Sequence, residues 1–303
     1  MRWRRASFAI LVILLSTGLV LFVSCSGLRC IASSHSTHDD EKPTAIKEWA
    51  KDEPAIDGMT VYVKGEGPPV ILLHEVPGLL PETVRFAEKL AGAGYRVYMP
   101  LFFGKFNDRV GRVRQFFVCA GPNFNCLSTD ESPVVKKLET LRDRITANGR
   151  QRVAIIGMCL TGGMPLALVN DRVAAVVLSQ PAVPFPLSAA KRASLGVDLD
   201  RLEHKAWQGH VLAIRFAEDC LATKERFETL CRKIPTDHLT IHVVPTDKPC
   251  AHSVLTVEGQ NKANGDVKTV AQTAIQHTTC FLARHLKKKE ECRDESDRPC
   301  HAD

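Results

Sequence analysis

The apolar residues of this 303-residue chain change their spacing along its length. Near the start they form one run, Phe8 to Val23, broken only by Ser16, Thr17 and Gly18. Residues 26–54 are polar and irregular, with Ser33-Ser34-His35-Ser36 and Asp39-Asp40-Glu41. From Thr60 onward, short apolar runs alternate with amphipathic stretches. The runs predict strands at Thr60–Val63, Val70–His74, Arg96–Met99, Val153–Ile156, Val173–Leu178, Val211–Phe216 and Leu239–Val244. Helical spacing predicts helices at Pro81–Ala93, Glu131–Ala147, Thr223–Lys233 and Asp266–Leu286. A further helix is expected just beyond Cys159, and helical pieces broken near Gly196 over Ala189–Lys205. Strands alternating with helices imply an α/β fold, a mostly parallel sheet with helices on both faces. A loop-rich insertion containing Cys119 and Cys126 interrupts the alternation.

The first run follows Arg2, Arg4 and Arg5, the order of an export signal. It is shorter than the roughly 20 residues a spanning helix prefers. It ends at Val23-Ser24-Cys25, which resembles a bacterial lipoprotein signal, although Phe22 fits that motif poorly. A lipidated end, an uncleaved anchor and a cleaved signal all remain open, and each places the folded domain outside the cytoplasm. The expected organisation is a signal or anchor over 1–25, a tether over 26–54, the α/β domain over 55–290 and a tail over 291–303.

The net charge of +6 is modest and partly terminal, and no basic stripe is interleaved with aromatics. Nucleic acid is therefore not an expected partner. Eleven cysteines suit an oxidising compartment. With Cys25 and Cys159 set aside an odd number remains, so at least one stays free or pairs between chains. Cys119 and Cys126 could staple a surface loop, and Cys280, Cys292 and Cys300 could pin the tail. No CxxC pair is present, so neither a metal nor another cofactor is expected.

The chemistry centres on Val153-Ala154-Ile155-Ile156-Gly157-Met158-Cys159-Leu160-Thr161-Gly162-Gly163. A buried strand running into a sharp turn and a helix is a nucleophile elbow, here with cysteine in place of serine. Such a turn lifts Cys159 clear of the sheet and makes the backbone N–H of Leu160 an oxyanion donor. The position two beyond the nucleophile is usually glycine; here it is Thr161. The acid and base should follow in that order. Asp219, after the strand Val211–Phe216, is preferred over Glu218. His252, after the last strand, is preferred over His238 and His242. The segment Leu73-His74-Glu75-Val76 follows an early strand, where Val76 would supply the second oxyanion N–H; His74 is read as structural.

At these points the chain resembles the dienelactone hydrolase family. The matching segments are Val70-Ile71-Leu72-Leu73-His74-Glu75, Leu90-Ala91-Gly92-Ala93-Gly94-Tyr95-Arg96-Val97, Gly157-Met158-Cys159-Leu160, the Asp219 segment and Ala251-His252-Ser253, together spanning about Met59 to Leu286. The resemblance implies the α/β-hydrolase fold, a triad of Cys159, Asp219 and His252, and a Glu75 that contacts the thiol and helps it ionise when substrate arrives. The implied reaction is cleavage of a small ester or lactone through an acyl-enzyme. Arginines for a substrate carboxylate find no matching positions. The alternatives are a hydrolase fold kept as a binding module at the cell envelope and a thiol redox protein.

Overall fold

The β-branched run that ends in the cysteine turn is the centre of the sheet. In the computed structural model this strand, β5 (Val153–Met158), is buried along its whole length. The structure describes residues 46–287 except 53, 77, 109–131, 150, 201, 203–206, 247 and 261–264. The Cys119–Cys126 insertion, the N-terminal segment, Cys292 and Cys300 therefore lie outside the described residues.

The other strands are β1 (Ala50–Lys51), β2 (Val61–Lys64), β3 (Pro69–Leu72), β4 (Arg96–Pro100), β6 (Val173–Ser179), β7 (His210–Phe216) and β8 (Leu239–Val244). They form one eight-stranded sheet in the order β1-β2-β4-β3-β5-β6-β7-β8. The pairs from β4 through β3 to β8 are parallel, while β2 is antiparallel to β4 and to β1. The parallel strands thus end at one edge, the position where open α/β sheets carry their ligands.

Alternation along β5 sends Val153 and Ile155 to one face and Ala154, Ile156 and Met158 to the other. The first face is covered by α2 (Pro133–Ile145), through Val134, Val135, Leu138 and Leu141, and by α5 (Lys224–Lys233), through Phe227 and Leu230. The second is covered by α1 (Pro81–Gly92), through Val84, Phe86, Ala87 and Leu90, and by α7 (Gly265–Lys287), which follows the short α6 (Val257–Gln260), through Ala274, Ile275, Phe281 and Leu282. Each such apolar side chain, fully buried, contributes about 1.5–3 kcal/mol, so the two-sided core dominates the fold's stability.

Two expectations change. The folded body begins before residue 55: Trp49 is buried at 4% exposure, and β1 pairs with β2. Trp49 seats its ring near Phe106, with Lys64 over its face, so part of the polar segment read as tether is an edge of the sheet. The helix expected beyond Cys159 is short. A 3-10 turn over Cys159–Thr161 leads into α3 (Met164–Ala167), after which Val169 and Asn170 leave the helix. Gly162, Gly163 and Pro165 are poor helix formers, and the turn is held by packing instead. The region expected as helical pieces contains α4 (Ala189–Ala193), and Gly196 stands at φ +71 where the break was expected.

Candidate active site

At the end of β5 the chain reverses at Cys159, whose φ is +54. That left-handed backbone is uncommon for a residue with a Cβ and occurs at functional turns. The turn is close-packed. A Cβ on Gly157 would lie 2.2 Å from the Thr161 carbonyl oxygen, and one on Gly162 2.5 Å from Pro181 Cα. The Cys159 carbonyl accepts from the N–H of Gly162 and of Ala182, both at 3.0 Å. The elbow is therefore held by its own helix on one side and by the loop after β6 on the other.

Thr161 accounts for its own departure from glycine. Its hydroxyl accepts from the Met158 N–H at 3.0 Å and lies near the carbonyls of Met158, Leu73 and His74, at 3.0, 3.3 and 3.4 Å. A side chain that is fully buried thus ties the end of β5 to the end of β3.

Asp219 follows β7 and is 5% exposed, whereas its neighbour Glu218 is exposed. Asp219 Oδ1 accepts from the N–H groups of Leu221 and Ala222 at 2.9 Å each. Its Oδ2 is 2.8 Å from His252 Nδ1, which must then be the N–H donor. The second ring nitrogen, Nε2, is buried without a well-formed hydrogen bond. Burial opposes a charge on this ring, but Asp219, followed by the Cys159 sulfur, outweighs it and holds His252 well above the usual histidine range. The sulfur thus lies close to the ring but outside hydrogen-bond geometry. Among the described residues Cys159 is the free cysteine, and it is 9% exposed.

Glu75 is buried after β3 and is held by three donors. Gln180 Nε2 (3.2 Å) and Thr256 Oγ1 (2.5 Å) reach Oε1, and Ser253 Oγ (2.8 Å) reaches Oε2. Burial raises its pKa, with Thr256, His252 and Ser253 pulling the other way. No hydrogen bond joins Glu75 to Cys159. Its three partners had no role assigned from sequence. Ser253 had a signal, its place beside His252; Gln180, at φ +35 after β6, had none.

His74 is structural in this geometry. Its Nε2 accepts from the Phe102 N–H at 3.1 Å, so Nδ1 carries the proton and donates to the Glu75 carbonyl at 2.8 Å. Burial lowers its pKa to about 4, and the rings of Phe102 and Phe103 pack on it. Leu160 lies in the 3-10 turn beside Cys159, and Val76 follows Glu75 in the loop after β3. The rival histidines sit elsewhere. His238 bonds the Gly209 carbonyl at the opposite end of β7, and His242 packs against His277. In the structure Cys159, Asp219 and His252 lie on loops that meet.

Residues 56–286 match the model of the dienelactone hydrolase family. Two crystal structures show the same fold. A dienelactone hydrolase-like promiscuous phosphotriesterase from metagenomic libraries is 16% identical, with a TM-score of 0.55 over 78% of this chain and 98% of that one. A dienelactone hydrolase from Anabaena variabilis is 14% identical, with a TM-score of 0.50 over 79% and 99%. No curated protein matches the sequence. By the family match over most of its length, the chain belongs to the dienelactone hydrolase family and carries its hydrolase fold.

Proposed function

We propose that the protein cleaves a small ester or lactone through an acyl-enzyme on Cys159. The observation that carries this reading is the Asp219–His252 hydrogen bond of 2.8 Å, with the free Cys159 thiol close to the same ring. His252 takes the thiol proton, and the sulfur attacks the carbonyl carbon. The N–H groups of Leu160 and Val76 receive the oxyanion. Its collapse expels the alcohol, which leaves with the proton from His252. Water, activated by the same ring, then releases the acid and the thiol. Asp219 keeps the ring in the tautomer this sequence requires. Glu75 is assigned the carboxylate that turns toward the thiol when substrate arrives, leaving its three present donors.

We further propose that the domain works outside the cytoplasm, exported or anchored through residues 1–25. The support is the basic-then-apolar N-terminus and the eleven cysteines, a usage that suits an oxidising compartment. Among the described residues no helix is long and apolar enough to cross a membrane.

The test is the mass of the protein after brief exposure to a short activated ester. We expect one acyl adduct, mapped to Cys159 and absent from Cys159→Ala, with turnover lost in that variant. A folded, reduced protein that gains no mass would favour a binding module at the envelope instead.

A further inference from the structure

We infer that Arg226 is a positioning residue for the oxyanion site: through two consecutive peptide groups it aligns and polarises the backbone N–H of Leu160. The inference rests on the acyl-enzyme reading above, in which that N–H receives the oxyanion. Arg226 lies in the first turn of α5 and is the largest of the fully buried side chains among the described residues. Burial lowers its pKa to about 10 and the Asp219 carboxylate pulls the other way, so the guanidinium is charged at neutral pH. Its partners are carbonyl oxygens of the loop after β6 and of α4. Nη1 donates to Pro181, and Nη2 donates to Pro184 and, at 3.3 Å, to Lys191. A buried ion is weak support for stability, since apolar packing of the same volume often does as well. The place of this cation is better explained by what its carbonyl partners hold.

The first partner leads to the elbow. The Pro181 carbonyl and the Ala182 N–H belong to one peptide group, and that N–H donates to the Cys159 carbonyl at 3.0 Å. The Cys159 carbonyl and the Leu160 N–H belong to the next. In a trans peptide the C=O and the N–H point in opposite directions, so a bond accepted at one end is followed by a bond given at the other. The row therefore runs from the guanidinium through the Pro181–Ala182 and Cys159–Leu160 peptides to the site where the oxyanion forms. A cation at its head draws electron density along the row and strengthens each donor that follows. Other contacts hold the elbow and its loop without Arg226. The Gly162 N–H gives the Cys159 carbonyl a second bond at 3.0 Å, and the Gln180 N–H binds the Ile214 carbonyl at 2.7 Å. A Cβ on Gly162 would lie 2.5 Å from Pro181 Cα, so loop and elbow also touch directly. Removing the charge should therefore weaken the Leu160 donor and leave the thiol and its ring in place.

The experiment compares two reactions of Cys159 on the full chain. Acylation by an activated aryl ester passes through an oxyanion. Alkylation by iodoacetamide displaces iodide at a saturated carbon and forms none. In Arg226→Gln we expect acylation to slow about 10-fold, through kcat rather than KM, while alkylation stays within about twofold of wild type. Arg226→Lys keeps the charge and loses the fork that spans two carbonyls, so acylation should slow only about threefold, again with alkylation retained. If the glutamine variant does not fold, the lysine variant decides alone. Equal loss of both reactions makes Arg226 a structural support of the elbow and overturns the inference. Acylation at the wild-type rate in Arg226→Gln, or in Arg226→Lys where that alone folds, overturns it too; both results leave the nucleophile assignment standing. Wild-type protein alkylated at Cys159 but never acylated there removes the acyl-enzyme reading, and this inference with it.

Discussion

At the scale of single residues, Thr161 shows how a side chain can take over work usually left to a small residue. It occupies a place where the chain could have had none, and its hydroxyl satisfies the buried Met158 N–H. Thr161→Val keeps the shape and removes the acceptor. We expect it to cost about 1–3 kcal/mol in urea unfolding, the price of a buried donor left unmade. Ester turnover should fall with it as the elbow loosens. The sequence marked position 161 as an exception without explaining it, because the explanation lies in atoms of β3 and β5 brought together only by folding. Asp219 was more legible. A carboxylate at the end of a strand has a recognisable place in this topology, and burial separates it from the exposed Glu218.

Among elements, the loop after β3 and the loop after β8 are joined through Glu75. Ser253 and Thr256 from one loop bond the carboxylate of the other, and Gln180 adds the loop after β6. The loops that carry His252 and Val76, the proposed base and oxyanion donor, are thereby tied to one carboxylate. Glu75→Gln keeps the volume and lets the hydroxyls reverse, so the fold should survive. If Glu75 helps the thiol ionise, the pH midpoint of Cys159 alkylation rises in this variant; an unmoved midpoint would restrict Glu75 to positioning the two loops. The central strands could be read from sequence because their β-branched runs are continuous. β1 could not, since two residues carry no period, and Trp49 looked like part of a polar stretch. The brevity of α3 was hidden in the same way, because its pattern resembles the start of a longer helix.

For the whole molecule, histidine burial sets the response to acid. His285 stacks on His210 at 4.0 Å, and His210 on His238 at 4.9 Å, where α7 crosses the start of β7. Burial, then His210, Arg284, Arg152 and His238, lowers His285 to about 3. Burial and His238 also lower His210, and burial lowers His74 to about 4. These rings bind a proton more readily in the unfolded chain. Their contribution is therefore complete above the unfolded value of about 6.5 and is lost as pH falls from there toward 4 and 3. His252, held high, acts in the opposite sense: its contribution is present below about 6.5 and lost as pH rises through its folded value. With three rings against one, the urea midpoint should fall between pH 6.5 and 4.5. His285→Gln should flatten that slope, and an unchanged slope would remove this cluster from the account.

The left-handed backbone at Cys159 bears on how the protein can change over generations. A residue with a Cβ at φ +54 sits at a cost of order 1 kcal/mol that glycine would not bear. Against that cost stand the packing of a buried side chain and, on the proposed function, use of the sulfur. A descendant lineage that no longer needed the reaction could drift to glycine here and remain folded. The identity of residue 159 across such lineages would thus record where the chemistry was retained and where the scaffold outlived it.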